Sequence, residues 1–312
     1  MAKSKAYATA SALRTALGER ISQAAKKTNV EAQKLSRQVA FDRLLARIFS
    51  EHEPPFVLKG GYAIEVRLDS VARATKDIDL TIYSAGKEMP DPINRPEGIR
   101  EWLQEKLEKD LNDWFAFRLG VQTDDLRAAP LGGARFHVEA RLDNRTFAEF
   151  NLDVGLGDAV VREPEWMTGH ELLSFAGIPP ARIALLPLDQ QFAEKIHAYT
   201  VPRGPRGNSR VRDLVDLVLL IEYGLPPMEQ VVRALHATFN KRETHPLPGK
   251  LAPPPEGWRE PYAALAAEHA VRHNTMEAAY EHVISYWNQL GIAREGPEQV
   301  TRKPQIEKRS KE

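Results

Sequence analysis

Hydrophobic and polar residues alternate from position 77 to position 83, and this alternation predicts a half-buried β-strand. The apolar positions are Ile78, Leu80 and Ile82, and the polar positions are Asp77, Asp79, Thr81 and Tyr83. Successive side chains of a strand point to opposite faces of the sheet. The carboxylates of Asp77 and Asp79 therefore share one face, close enough together to bind one metal ion.

A short apolar run and two glycines precede this strand. Residues 56–58 are apolar and predict a strand, and residues 63–68 predict a helix. Between them, Lys59 is followed by Gly60 and Gly61, which permit a sharp turn and a close backbone approach. Backbone N–H groups at a glycine-rich turn that opens a helix form a binding site for phosphate.

Periodicity elsewhere predicts further strands between residues 115 and 186, and helices before and after them. Strands are predicted over residues 115–122, 135–142 and 146–156, with a short apolar run at 183–186. Helices are predicted over residues 6–27, 30–52, 99–112, 188–199, 212–223, 226–242, 260–272 and 275–291. Residues 158–180 are predicted to be irregular. Three arginines of the second helix, Arg37, Arg43 and Arg47, are expected on a solvated face.

Composition narrows the class of protein. The chain has 312 residues, enough for two domains. Its formal net charge is zero, so binding to nucleic acid requires a local basic patch. It contains no cysteine, which excludes disulfides, zinc–thiolate sites and a cysteine nucleophile. No apolar stretch approaches the ~20 residues of a membrane span, and we expect a cytoplasmic protein that does not associate with membranes.

The glycine turn and its helix, followed by Arg73, Thr75, Asp77 and Asp79 at alternate positions, resemble the first motif of the DNA polymerase β-type nucleotidyltransferases. More narrowly, they resemble the AbiEii/AbiGii toxin family. The resemblance implies an α+β fold, with a nucleotidyltransferase-like mixed β-sheet core, N-terminal helices and a helical C-terminal domain. We expect the core domain at residues 1–187, the helical domain at residues 188–292, and a disordered charged tail at residues 293–312.

Nucleotidyltransferases of this type place a third carboxylate, from a neighbouring strand, beside the aspartate pair. We expect Asp153 in this role, because it lies on the polar face of its predicted strand and near the end of that strand. Glu149 and Glu139 are the alternatives. Asp77, Asp79 and Asp153 are then expected to be catalytic and to bind Mg²⁺ or Mn²⁺, hard cations that prefer oxygen ligands.

The resemblance also implies residues that bind the co-substrate, a nucleoside triphosphate. These are Lys59, Gly60, Gly61, Thr75 and Lys195. Lys195 follows Glu194 where the family has an acidic residue and a lysine, and it is expected to hold the triphosphate as a point charge on a flexible stem. Asp213 is expected to position Lys195 or an acceptor hydroxyl. Asp216, one turn further on, is expected to cap its helix or to pair with Arg212.

The densest basic run without acidic residues lies between positions 203 and 212. It comprises Arg203, Arg206, Arg210 and Arg212. Such a segment suits the phosphates of RNA or of a nucleotide. A solubilising linker is the alternative interpretation.

The family resemblance implies a toxin of a toxin–antitoxin or phage-defence system that transfers NMP from NTP to RNA and releases pyrophosphate. The implied acceptor is the 3′ end of tRNA, whose modification blocks translation, and the implied protein partner is a cognate antitoxin. Two alternatives are transfer to a protein or small-molecule hydroxyl and a non-catalytic regulator that binds nucleotide or RNA. The pair of Asp77 and Asp79 argues against the regulator, because binding alone does not need two metal-binding carboxylates.

Overall fold

The computed structural model describes residues 7–28, 30–51, 54–68, 75–83, 96–125, 129–203 and 210–292. The helices of these residues are α1 (Ala10–Thr28), α2 (Ala32–Ile48), α3 (Gly60–Leu68), α4 (Pro96–Leu107), α5 (Leu188–Thr200), α6 (Val211–Tyr223), α7 (Met228–Arg242), α8 (Arg259–Glu268) and α9 (Met276–Gln289). The strands are β1 (Phe56–Lys59), β2 (Asp77–Ile82), β3 (Phe115–Asp125), β4 (Gly133–Leu142), β5 (Arg145–Gly155), β6 (Glu165–Thr168) and β7 (Arg182–Leu185). The predicted tail after residue 292 lies outside the described residues.

The strands form one mixed sheet in the order β3-β4-β5-β2-β1-β7-β6. β2 runs parallel to β5 and β1 runs parallel to β7, whereas the other neighbours are antiparallel. Helix α2 packs against β5 and β7. The main apolar core, which includes Phe41 and Leu44 of α2, lies between this helix and the sheet. The expected α+β fold, with a mixed sheet and N-terminal helices, is confirmed.

Helices α5 to α9 surround a second apolar cluster that includes Leu217, Leu235 and Trp287. Ile64 of α3 also belongs to this cluster. The helix that follows the glycine turn therefore contacts both the sheet and the C-terminal helices, and α5 and α6 lie beside it. The division of the chain into two domains stays a prediction. In the part of the chain that the structure describes, no helix has the length and apolar character needed to span a membrane.

The arginines of α2 correct one prediction, because Arg43 and Arg47 are buried and not solvated. Arg47 donates to both carboxylate oxygens of Asp113, at 2.9 and 2.7 Å, and Arg43 lies 3.7 Å from the same carboxylate. Arg37 is partly buried. Helical periodicity marks these residues as polar, but it does not show that Arg47 pairs with a buried carboxylate 66 residues away.

The segment 158–180 corrects a second prediction. It was expected to be irregular, but Glu165–Thr168 forms strand β6, which pairs antiparallel with β7 at the edge of the sheet. The four-residue strand is only partly buried, and its apolar residues do not alternate with polar ones. Its sequence pattern therefore gives little indication of a strand. The hairpin of β4 and β5 is as predicted but its turn is tighter. Asp143 and Asn144 both adopt φ of 56°, as a two-residue type I′ turn requires.

Candidate active site

The three predicted metal-binding carboxylates lie on neighbouring strands. Asp79 of β2 and Asp153 of β5 are direct partners in the parallel register, and Asp77 is the partner of Asn151. Paired residues of adjacent strands project from the same face. The side-chain amide of Asn151 donates to Asp77 at 3.1 Å. The structure therefore places the three aspartates that the sequence singled out on one face of the sheet, with Asp79 directly beside Asp153.

The alternatives for the third carboxylate lie further away. Glu149 is four residues before Asp153 on β5, roughly 13 Å along a strand, and its side chain is 58% exposed. Glu139 pairs with Glu149 across the hairpin and accepts hydrogen bonds from Arg141 and Thr146. Asp153 is the only one of these three acidic residues that is adjacent to Asp79.

The carboxylates are crowded. Burial and the neighbouring Asp153 raise the pKa of Asp79 to about 6, although Lys59 and Lys195 act in the opposite direction. Crowded carboxylates of this kind are the usual environment of a divalent cation, which replaces their repulsion with attraction. Asp77, Asp79 and Asp153 thus offer the oxygen ligands that a hard divalent metal ion prefers, although one oxygen from each does not lie within 4.8 Å of the other two.

Gly60 is required by the position of Asp79. Gly60 has φ of +68°, and a Cβ built on it would lie 2.0 Å from Oδ2 of Asp79. Lys59, the last residue of β1, is the partner of Asp79 in the antiparallel register, which places the turn directly over the carboxylate. Gly61 is buried in the first turn of α3. The glycines therefore open space for Asp79 at the N-terminus of α3, the helix end that favours a phosphate.

We expect Gly60→Ala to reduce transfer by roughly 10²-fold, because the methyl group displaces Asp79 from its position. The alanine also has to adopt a positive φ, which costs about 1–2 kcal/mol of folding stability. Steady-state transfer rates and thermal unfolding of the purified variant measure both effects. Gly18→Ala is the control, since a Cβ at Gly18 in α1 meets no atom within 4 Å. Equal activity of the two variants would contradict this role of Gly60.

Lys195 of α5 is held by two carboxylates of α6. Its Nζ lies 2.9 Å from Oδ1 of Asp213 and 2.8 Å from Oδ2 of Asp216. The expectation that Asp213 positions Lys195 agrees with this geometry. The expectation that Asp216 caps its helix or pairs with Arg212 is wrong, because Asp216 is fully buried against Lys195. Residues 213 and 216 lie one turn apart on the same face of α6, which allows both to reach one ammonium group.

Lys59 belongs to a buried network of charges beside the carboxylates. Its ammonium pairs with Asp158 and lies 3.5 Å from Glu194, and Arg242 of α7 pairs with the same two acids at 2.9 and 3.2 Å. Burial alone would raise the pKa of Asp158, but Lys59 and Arg242 outweigh it and lower this pKa to about 2. Thr81 donates to Asp158 at 3.0 Å. The network thus ties the sheet to the end of α7.

Sequence reasoning missed two arginines of the site. Arg135 of β4 forms two hydrogen bonds of 2.7 Å to the carboxylate of Asp153, and Arg242 joins the network at Lys59. Arg135 lies on the polar face of β4, next to β5. Comparing side chains across the two strands of the predicted hairpin would have indicated its contact with Asp153. No local pattern marks Arg242, which reaches the site only through the packing of α7 on α5.

A cleft of about 760 Å³ joins these groups, a size suited to a nucleotide. Its lining includes Asp77, Asp79, Asp153, Gly60, Gly61, Thr75, Lys59, Lys195, Asp213, Arg135, Arg210, Arg212 and Arg242. Thr75 is buried, and its hydroxyl donates to the carbonyl of Asp77 at 3.1 Å. Arg203 is exposed and is not part of the lining, and Arg206 lies outside the described residues. The lining of the cleft therefore combines acidic groups with cations.

The mixed sheet is that of a nucleotidyltransferase. The family model described as the nucleotidyl transferase AbiEii toxin of type IV toxin–antitoxin systems matches residues 43–284, more than half of the chain. The chain belongs to this family, and the resemblance seen in its sequence is confirmed. Membership in a toxin–antitoxin family implies a cognate antitoxin.

One solved structure agrees with this chain in fold. The nucleotidyltransferase toxin MenT4 from Mycobacterium tuberculosis H37Rv matches with a TM-score of 0.59 and 17% identity, over 87% of this chain and 89% of that chain. An antigenic nucleotidyltransferase-like protein from Paracoccidioides brasiliensis matches with a TM-score of 0.40 and 16% identity, over 67% of this chain and 89% of that chain. At these identities the likeness to MenT4 indicates the fold alone. No curated protein sequence matches the chain.

Proposed function

We propose that this protein transfers NMP from NTP to a hydroxyl of RNA, releases pyrophosphate and thereby blocks translation in the cytoplasm. The acceptor that the family resemblance suggests is the 3′ end of tRNA. The observation that carries the proposal is the direct pairing of Asp79 with Asp153, beside Gly60 and in a cleft that lysines and arginines also line. Acidic groups and cations that line the same cleft suit a metal-bound triphosphate.

Asp77, Asp79 and Asp153 would hold the metal ion, for which we propose Mg²⁺. Their crowding, which raises the pKa of Asp79, supports this assignment because a divalent cation offsets the repulsion. When bound, Mg²⁺ would supply charge neutralisation at the triphosphate and activation of the acceptor hydroxyl.

The remaining residues bind, orient and accept a proton. Lys195, held by Asp213 and Asp216, would place a positive charge at the leaving phosphates, and the N-terminus of α3 would offer backbone N–H groups to them. The acceptor oxygen attacks the α-phosphorus, the bond to pyrophosphate breaks, and Asp153 takes the hydroxyl proton. Arg135 fixes the orientation of Asp153 through two hydrogen bonds.

The proposal is tested by incubating the protein with each labelled NTP, Mg²⁺ and total cellular RNA, and then separating RNA from protein and small molecules. Label in RNA of tRNA size supports the proposal, and periodate oxidation of the tRNA 3′ end beforehand should abolish it. Label in protein or in a small molecule would show that the acceptor is a protein or small-molecule hydroxyl and not RNA. If no NTP labels RNA, protein or a small molecule, the proposal of RNA nucleotidylation is contradicted.

We expect the triple change Arg203→Ala, Arg206→Ala and Arg210→Ala to weaken RNA binding and to flatten its salt dependence. Each phosphate contact that is lost should reduce the slope of log K against log salt by about 0.7–0.9. Binding is measured by fluorescence anisotropy over a series of salt concentrations. Arg259→Ala, which removes an exposed arginine of α8, is the matched control. An unchanged slope in the triple variant would identify the segment as a linker.

A further inference from the structure

Three potential metal ligands meet among the C-terminal helices, on a surface that the transfer reaction does not use. Glu222 lies in the last turn of α6, His273 in the connection between α8 and α9, and His282 in α9. They are all partly buried. Each comes from a different element, so the packing of the helices sets their arrangement.

The ligand atoms of these residues are close together. One atom from each of Glu222, His273 and His282 lies within 4.8 Å of the other two, and this is the only such group of three among the described residues. Nδ1 of His273 is 2.8 Å from the carboxylate of Glu222, and the two imidazole rings stack with centroids 4.1 Å apart and an interplanar angle of 18°. The hydroxyl of Tyr262 donates to the carbonyl of His273 at 2.8 Å and fixes the connection.

His282 provides an independent indication of a ligand. Its Nε2 is buried and forms no hydrogen bond with any group that the structure describes. A buried polar nitrogen without a partner costs free energy, and a bound ion would satisfy it. Two imidazoles and one carboxylate are the donor set of open zinc sites, in which water takes the fourth position.

We propose that Glu222, His273 and His282 form a binding site for Zn²⁺ or a similar divalent transition-metal ion. Imidazole nitrogen suits such ions and does not suit Mg²⁺, so this site differs in selectivity from the carboxylates of the cleft. Tetrahedral zinc at 2.0–2.1 Å from each ligand requires ligand atoms about 3.3 Å apart. Because an imidazole binds a metal in its ring plane, zinc binding would turn the stacked rings of His273 and His282 towards the ion. The ion would join the end of α6 to α9, and α6 carries Asp213 and Asp216 at its other end.

The test uses tag-free, chelator-treated protein with the Asp79→Asn change, so that the cleft carboxylates do not add a site. Calorimetric titration with ZnCl₂ should give one equivalent per chain, and saturating Zn²⁺ should raise the melting temperature by several degrees. Co²⁺ should give the intense visible absorption of a four-coordinate ion, and Mg²⁺ should produce neither effect.

His282→Gln and Glu222→Gln, made separately in this background, should each lower the affinity for Zn²⁺ by at least about tenfold and remove the rise in melting temperature. His137→Gln is the matched control, because His137 lies 3.7 Å from Glu149 on the sheet and is not part of the cluster. The proposal is overturned if the starting protein binds no Zn²⁺, or if both variants bind it as the control does. Two variants keep the test decisive should one of them fail to fold.

Discussion

Asp79→Asn should lower nucleotidyl transfer by at least about 10³-fold and remove toxicity in cells. The change keeps the shape of the side chain but removes one charge next to Asp153 and, in the proposed function, one metal ligand. Metal-bound charge stabilises the transition state by several kcal/mol, and each 1.36 kcal/mol corresponds to a tenfold change in rate. Transfer is measured with Mg²⁺ present, at substrate concentrations that saturate the wild type.

The same variant should be at least as stable as the wild type when no metal is present. The pKa of Asp79 is about 6 in the folded protein, above the ordinary value of 3.8. A carboxyl group whose pKa rises on folding destabilises the folded state above pH 6, and this cost disappears as the pH falls from 6 to below 3.8. Asparagine removes the cost. We therefore expect the variant to melt higher at pH 7.5 and the difference to vanish near pH 4.

Asp143→Asn is the matched control for Asp79→Asn. Asp143 lies in the turn of the β4–β5 hairpin, where φ is 56° and asparagine is equally suited. Its transfer rate should equal that of the wild type. A folded Asp79→Asn protein that keeps near-normal transfer would contradict the assignment of the metal-binding carboxylates.

Asp158→Asn should destabilise the protein by about 3–5 kcal/mol, because it removes the fully buried one of the two acids that Lys59 and Arg242 share and leaves only Glu194. The side chain of Asp158 is fully buried between these cations. Denaturant unfolding at pH 7 measures the change in the free energy of unfolding. Transfer should fall as well, since both cations line the cleft.

The pH dependence of this variant provides a second measurement. The pKa of Asp158 is about 2 in the folded protein, below the ordinary value of 3.8. Its contribution to stability is therefore complete above pH 3.8 and is lost as the pH falls towards 2. The difference between wild type and variant should shrink over that range.

Glu277→Gln, which breaks the pair with Arg259 on the surface, is the control for the loss of an ion pair. Exposed pairs contribute little, so its unfolding should match that of the wild type. If Asp158→Asn unfolds like this control, the buried network does not support the cleft.

The strand bearing Asp77 and Asp79 and the turn at Gly60 were predictable because their signals are local. Alternation of side chains over a few residues determines which of them share a face, and consecutive glycines mark a turn wherever they occur. The C-terminal helices were predictable for the same reason, since their apolar positions repeat with the helical period. The AbiEii resemblance depended on these short-range features.

The contacts between elements were not predictable in this way. The strand pattern and the family resemblance indicate Asp153 as the third carboxylate, but only the parallel register of β2 and β5 places it beside Asp79. Two further contacts also depend on the tertiary structure. Asp216 pairs with Lys195, whereas the sequence predicts a helix cap or a pair with Arg212. Arg47 pairs with Asp113, whereas the sequence predicts a solvated side chain.

The sequence by itself therefore determined the elements, their polar and apolar faces and the family. The tertiary structure alone decided which charged groups meet, including the network at Asp158 and the cluster at His282. The physical reason is that periodicity describes one element at a time. A pair of charges from two distant elements forms only where the topology of the sheet and the packing of the helices bring both out of water together, and the stability of each partner then depends on the other.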